Sequence, residues 1–314
     1  MEVPETVRAL FEAFGVTGAP QRYQNSQLAH IERRLMTRKL CTPEAKIHDI
    51  RVKSATGRGA THWLTQYPSE SYFALSDDEF IFALRHLLGL SPTTDFPTTC
   101  PFDNCTANWD MKKGRRKKKP QDIASDHLHS CSFLRGSIVS HRHNMMLRAV
   151  GSLAREVGNS FWEEPRFDKT RTNQHRLRPD AISTGQNGKL FMLDVSIVTP
   201  TCPSYIKSRN GTISRREGEK RSDYKKYAEE KKCKFIPFVL SSYGEVGDGA
   251  KSYLTMLAKQ SVSSSDEDMG EEDVKKAESA FLQRAYRMVS FALQRGNAHV
   301  SSFGTLRMAA TRHE

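Results

Sequence analysis

The first strong pattern along the chain is a run of apolar residues at helical spacing in LSDDEFIFALRHLLGL, residues 75–90. Apolar side chains three and four positions apart line one side of a helix, so this run predicts a helix that packs against a core. Ser76 is placed to cap its start, and Gly89 followed by Pro92 is typical of its end. With the sequence before it, the pattern predicts that residues 1–97 form a mostly helical region.

Helical spacing returns in four later segments. The last of them, ESAFLQRAYRMVSFALQR, is predicted to end at Gly296, because glycine is unfavourable inside a helix. An acidic, serine-rich stretch before it has the composition of a flexible linker over 263–273, which leaves 274–314 as a C-terminal helix and tail. The other three predicted helices begin at about residue 141 and cover about 214–232 and 244–262.

Strand patterns occupy the middle of the chain. KLFMLDVSIV, residues 189–198, is largely apolar on both faces, which is typical of a central strand. The turn sequence TGQNG connects it to the preceding run RPDAIS, and together they predict a β-hairpin. FWEEP (161–165) and FIPFVL (235–240) add two further predicted strands. Strands mixed with helices predict an α/β fold for residues 141–262.

The predicted hairpin carries two aspartates in apolar surroundings. If its turn is centred near Asn187, Asp180 lies opposite Leu193 or Asp194, so the two carboxylates are predicted to be neighbours. A buried carboxylate is unfavourable unless it is compensated, and two together repel each other. A divalent cation such as Mg²⁺ resolves both problems, since it prefers paired hard oxygen ligands. The alternative is an ion pair with an arginine, either Arg176 or Arg178.

Three of the six cysteines lie close to histidines in the segment 98–140. Four residues separate the first two cysteines, and three separate the histidine from the last cysteine. Three thiolates and one imidazole make a closed tetrahedral zinc site of the structural type. His129 is the alternative fourth ligand. The predicted zinc ligands are Cys100, Cys105, His127 and Cys131.

The net charge of +12 favours a polyanionic partner, and no apolar run approaches the ~18 residues that cross a membrane. Seven of the eight residues in 112–119 are basic. Such a run binds phosphates, adds salt dependence to binding or serves as a nuclear localisation signal, and the sequence leaves these open. The candidate nucleic-acid contacts in it are Lys112, Lys113, Arg115, Arg116, Lys117, Lys118 and Lys119.

The order of these motifs resembles the restriction-like endonuclease region of site-specific non-LTR retrotransposon proteins, a branch of the PD-(D/E)XK nucleases. The resemblance covers roughly residues 60–300 and includes the Cys/His knuckle. Its other motifs, in order, are His62-Trp63-Leu64, Asp78-Glu79-Phe80 to Leu90, Arg142-His143-Asn144, Glu164-Pro165, Pro179-Asp180, Asp194-Val195-Ser196, Lys220 with Tyr224, Phe235-Ile236-Pro237-Phe238-Val239 and ALQRGNA (292–298).

The resemblance implies a PD-(D/E)XK core, with a mixed sheet flanked by helices and a zinc knuckle in front. Where the wider family has a lysine two residues after the second acid, this chain has Ser196. In the retrotransposon branch that lysine lies on the next helix, and Lys220 with Tyr224 fits best, with Lys225 and Lys226 as alternatives.

The activity implied is Mg²⁺-dependent nicking of DNA in the nucleus, leaving a free 3′-hydroxyl that primes reverse transcription. Asp180 and Asp194 would hold the metal, helped by Glu164 or Glu156. The resemblance implies that Arg142 and His143 contact DNA or brace the knuckle against the nuclease core. For Asn144, the next residue, the simpler prediction is that it caps the helix.

The sequence leaves two other functional hypotheses open. One is a catalytically inactive or co-opted zinc-dependent nucleic-acid-binding protein, and the other is binding of retroelement RNA through the basic run and the knuckle. The chain has no room for a reverse-transcriptase domain and no Tyr-x-Asp-Asp motif, which predicts a truncated, decayed or co-opted part of a longer polyprotein.

Overall fold

The protein is described here by a computed structural model. It describes residues 43–65, 70–103, 105, 107–110, 115–117, 123–124, 126–136, 138–165, 178–185, 188–206, 211–263 and 270–311.

Four strands in this part of the chain form one mixed sheet in the order β3-β4-β5-β6. The first two neighbouring pairs are antiparallel and the last pair is parallel. A separate small hairpin, β1 with β2, lies near the cysteines. The strands are β1 (Trp109–Asp110), β2 (Arg115–Arg116), β3 (Phe161–Glu163), β4 (Ala181–Thr184), β5 (Leu190–Val198) and β6 (Lys234–Ser241).

Helices cover both faces of the sheet, which confirms the predicted mixed α/β class. The α-helices are α1 (Pro43–Ala55), α2 (His62–Thr65), α3 (Asp77–Leu88), α4 (Ile138–Glu156), α5 (Thr212–Glu230), α6 (Asp248–Ser263) and α7 (Glu271–Ala310). Short 3₁₀ turns cover Ser71–Phe73, His127–His129 and Phe133–Gly136.

The two-residue period of β5 divides its side chains between two cores. Leu193 and Val195 face the main core, which α4, α6 and α7 fill on one side of the sheet. Met192 faces the other side, where it packs with Tyr224 of α5. The residues in these two cores are almost completely buried, and full burial of each large apolar side chain contributes about 1.5–3 kcal/mol.

Helix α3 follows the sequence prediction at both ends. The Ser76 hydroxyl accepts a hydrogen bond from the Glu79 N–H, and the Glu79 carboxylate accepts one from the Ser76 N–H, which completes a capping box. Gly89 ends the helix with a left-handed φ of 71°. Because α3 packs on α7, α3 shares a core with the sheet. Residues 1–42 of the predicted helical region lie outside the described residues.

The predicted bounds of the last helix are wrong. Residues 271–273, placed in the linker from their acidic composition, form the first turn of α7, where negative charge favours the helix N-terminus. The helix also continues through Gly296 to Ala310, because Val300 and Met308 pack into the core of the Cys/His segment. Tertiary packing therefore outweighs the low helix propensity of glycine.

We expect Gly296→Ala to lower the free energy of unfolding by about 1–3 kcal/mol, because the core there is already filled. A Cβ at residue 296 would lie 2.5 Å from Cγ and 3.0 Å from Cα of Arg142 on α4. Gly218→Ala in α5 is the matched control, since nothing lies within 4 Å of its added Cβ. That variant should be up to about 1 kcal/mol more stable. Equal unfolding midpoints for the two variants would contradict this packing of α4 on α7.

Candidate functional site

The hairpin register brings the two predicted aspartates together. Ala181 of β4 pairs with Leu193 of β5, and the Asp180 N–H donates to the Leu193 carbonyl at 3.0 Å, so Asp180 lies opposite Asp194. Side chains opposite each other in an antiparallel pair have Cβ atoms about 4.5–5.5 Å apart. The predicted pairing of Asp180 with Leu193 or Asp194 is thus resolved in favour of Asp194.

Two donors hold the Asp180 carboxylate. The Val195 N–H donates to its Oδ2 at 2.6 Å, and Nε2 of His143 lies 3.0 Å from the same oxygen. Burial acts to lower the pKa of His143, but the contact with Asp180 outweighs burial and leaves that pKa raised. The other oxygen, Oδ1, has no hydrogen-bond partner in the described part of the chain.

Asp194 is more deeply buried than Asp180 and is paired with a lysine. Its Oδ1 lies 2.8 Å from Nζ of Lys220, which projects from α5 onto the sheet. Burial, and then the charge of Asp180, raises the pKa of Asp194, whereas Lys220 and Tyr224 oppose the rise. The exposed Lys225 and Lys226 do not make this contact.

Tyr224 fixes the surroundings of both aspartates. Its hydroxyl donates to the backbone carbonyl of Arg178 at 2.8 Å, two residues before Asp180. Its ring stacks on Phe235 of β6 at 4.6 Å, and Nζ of Lys220 lies 5.7 Å from the ring centroid. Tyr224 therefore connects α5 to the entry of β4 and to the lysine.

Glu164 lies beside Asp180, because its N–H donates to the Asp180 carbonyl at 2.7 Å, but its side chain does not join the two aspartates. Its carboxylate pairs with Arg178 at 2.5 Å and is largely exposed. Glu156, the other predicted helper, pairs with Arg284. Among the described residues, the two aspartates and Glu164 do not form a group whose ligand atoms all lie within 4.8 Å of one another. Two carboxylates, one with a free oxygen, are consistent with a cation that completes its shell with water and substrate oxygens.

The predicted Cys/His ligands do form such a group. The ligand atoms of Cys100, Cys105, His127 and Cys131 all lie within 4.8 Å of one another and could hold a metal ion. The sulfur atoms of Cys105 and Cys131 are 3.7 Å apart, and Cys105 Sγ is 3.5 Å from His127 Nε2. Tetrahedral zinc bonds imply about 3.8 Å and about 3.6 Å for these pairs, so the geometry is compatible with zinc.

His129, the alternative ligand, faces away from the cysteines into a buried network. Its Nδ1 lies 3.0 Å from Arg142 Nη1, and its Nε2 lies 3.3 Å from the Ser301 hydroxyl. Arg142 also donates to Asn297 of α7 at 3.0 Å. The prediction that Arg142 contacts nucleic acid is wrong, because its side chain is 1% exposed. It instead braces the Cys/His segment against α4 and α7, which was the other implication of the resemblance.

His143, the next residue, was also predicted as a nucleic-acid contact, and it stays a prediction; its partly exposed side chain lies against Asp180. Successive helical residues point about 100° apart, so the Arg142 side chain enters the core and the His143 side chain reaches the edge of the sheet. Helix α4 begins at Ile138, which places Asn144 inside the helix and excludes its predicted capping role. The sequence feature that could have indicated these two contacts is the polar pair Arg142-His143 within an otherwise amphipathic helix.

The basic run is only partly described. Arg115 and Arg116 form β2, Arg115 is exposed, and Lys117 Nζ donates to the Ala107 carbonyl at 3.2 Å. Its other predicted contacts lie outside the described residues: Lys112, Lys113, Lys118 and Lys119.

Comparisons with known proteins add no assignment. No protein-family profile matches the chain, and no curated protein shows significant similarity to it. Within the described residues, no helix is both long and apolar enough to cross a membrane.

Proposed function

We propose that the protein is a Mg²⁺-dependent DNA endonuclease of the restriction-like type found in non-LTR retrotransposon proteins. The observation that carries the proposal is the convergence of Asp180, Asp194 and Lys220 from two adjacent strands and the following helix. Two acids and one lysine on a mixed α/β scaffold are the reactive groups of the PD-(D/E)XK nucleases, and the order of motifs along the chain agrees with that family.

Asp180 and Asp194 would hold Mg²⁺, which when bound polarises a phosphate and lowers the pKa of an attacking water. Lys220 has its ammonium group fixed 2.8 Å from Asp194, on the face of the sheet where the phosphate would bind. It would stabilise the negative charge that develops on the phosphate oxygens as the P–O bond breaks. The attacking water would form the new P–O bond as the P–O3′ bond breaks, and the departing 3′-oxygen would take up a proton, so the products are a free 3′-hydroxyl and a 5′-phosphate.

His143 and Tyr224 act through the aspartates. His143 and the Val195 N–H hold Oδ2 of Asp180, which leaves Oδ1 available to a metal ion. Tyr224 holds the backbone before Asp180 through Arg178 and borders the Lys220 ammonium. Such restraint keeps the reacting groups in position before the substrate binds, which lowers the entropic part of the barrier.

The knuckle would contain a structural zinc ion, because all four ligands come from protein and leave no open position. The proposed substrate is DNA in the nucleus, and the excess of positive charge supports a polyanion. Retroelement RNA is the second proposed partner through the basic run.

Supercoiled plasmid tests the proposal. Purified protein should convert it to the open circle in Mg²⁺ and not without added divalent metal, and a polymerase should extend the nicked product directly. Binding of DNA without any metal-dependent nicking would reject the endonuclease and support the inactive nucleic-acid-binding alternative.

Lys220→Ala should reduce the single-turnover nicking rate by about 10²–10³-fold, the loss typical of one group that stabilises transition-state charge. Lys225→Ala is the matched control, because Lys225 lies on the same helix and is exposed. Its rate should stay within a few-fold of wild type. Similar rates for the two variants would remove Lys220 from the site.

A further inference from the structure

Trp162 lies on the same face of the sheet as the paired aspartates. It pairs with Ile182 of β4, which in turn pairs with Met192 of β5. Met192 and Asp194 are two residues apart on one strand and so point to the same side. Trp162 therefore occupies the row of side chains next to the carboxylate row.

The Trp162 indole is exposed, whereas the side chains beside it on the same face of the sheet are buried. Ile182 and Met192 are 4% and 0% exposed under α5, whereas Trp162, on edge strand β3, is 50% exposed. The indole ring itself has no ring contact or side-chain hydrogen bond among the described residues. An exposed indole beside charged groups offers an open π-face on which a base can stack.

Strand spacing places this surface within reach of a bound nucleic-acid strand. With about 4.8 Å between strands and about 3.3 Å per residue, the Cα of Trp162 is roughly 8 Å from that of Asp180 and roughly 12 Å from that of Asp194. That distance corresponds to about two to four nucleotides at about 3.4 Å of rise each.

The charges near Trp162 and the exposed edge of β3 are compatible with a nucleic-acid strand at this surface. The acids that follow Trp162 are already paired, Glu163 with Arg155 at 3.4 Å and Glu164 with Arg178 at 2.5 Å, so their repulsion of a phosphate chain is reduced. Pro165 next in sequence lacks the N–H that an added protein strand would need. Stacking on a base needs no strand pairing and accepts any of the bases.

We propose that Trp162 is a stacking platform for an unpaired base a few nucleotides from the phosphate that a cation at Asp180 and Asp194 would bind. The inference rests on the proposed function, since it takes that site as the place where the phosphate binds. It identifies the substrate class as a strand with at least one accessible, unpaired base near the cleavage position.

The test uses a single-stranded DNA oligonucleotide that contains 2-aminopurine, whose fluorescence is quenched by stacking, in buffer with Ca²⁺, a hard cation that carboxylates bind, in place of Mg²⁺. Trp162→Ala should weaken binding roughly 5- to 150-fold and remove much of the quenching. Trp162→Phe, which keeps a ring, should retain most of both. Phe303→Ala on α7 is the matched control, because Phe303 is similarly exposed at 51%, and it should bind like wild type.

Equal affinity and quenching for Trp162→Ala and wild type, with unchanged thermal unfolding, would overturn the platform. Plasmid nicking by wild type in Mg²⁺ is measured on the same preparations to separate the two proposals. Trp162-dependent binding without nicking would keep the platform and reject the endonuclease. Nicking with Trp162-independent binding would keep the endonuclease and reject the platform.

Discussion

Asp194→Asn should abolish DNA nicking, with a rate at least about 10³-fold below wild type, because several kcal/mol of metal-derived stabilisation depend on this carboxylate. Asparagine has nearly the same shape and keeps an oxygen for the Lys220 ammonium, 2.8 Å away in the native pair. The substitution therefore removes the charge and leaves the packing of β5 in place. Rates are measured under single-turnover conditions on supercoiled plasmid.

Asp223→Asn is the control for this loss. Asp223 lies on α5, close in sequence to Lys220, but its side chain is exposed. That variant should nick at the wild-type rate, and both variants should unfold cooperatively near the wild-type midpoint. An Asp194→Asn protein that is folded and still active would mean that another group carries the hydrolysis.

Cys131→Ser should remove the metal from the knuckle and destabilise the protein by several kcal/mol. Cys131 is completely buried, and binding of structural zinc contributes about 10–16 kcal/mol in isolated zinc-finger peptides. Metal content per chain and thermal unfolding, with and without a chelator, measure the effect.

The loss should extend beyond the knuckle. Leu128 and Leu134 of this segment pack with Val300 and Met308 of α7, so unfolding of the knuckle exposes part of that helix. Cys202→Ser is the matched control, because Cys202 is only partly buried and its substitution should change stability by no more than about 0.5 kcal/mol. A Cys131→Ser protein that keeps its metal and its unfolding temperature would show that the cluster is not a metal site.

Local patterns were sufficient to predict the hairpin and the pairing of its two aspartates. The two-residue period of β5 and the turn before it fix which residues of β4 lie opposite, and this brings Asp180 to Asp194. Lys220 and Tyr224 are one helical turn apart, so both reach the same side of the sheet. These relations depend on neighbours in sequence, which is why the sequence predicts them.

Contacts between distant segments could not be predicted in this way. His143 reaches Asp180 only because α4 crosses the sheet at that point, and no periodicity in the sequence specifies the crossing. The burial of Arg142 could not be predicted either, because its partners come from the knuckle and from α7. That burial lowers the pKa of Arg142 to about 10. Helix α7 passes Gly296 for a similar reason, since the close approach of α4 requires a residue without a side chain there.

The most direct measurement of the central claim is titration of the protein with Mn²⁺, followed by electron paramagnetic resonance, in wild type and in the Asp180→Asn and Asp194→Asn variants. If the two carboxylates share one cation, wild type binds one Mn²⁺ per chain in addition to the knuckle metal, and each substitution weakens that binding at least about tenfold. If wild type lacks such a site, or if neither substitution changes the affinity for Mn²⁺, the claim that the two carboxylates share a cation is contradicted.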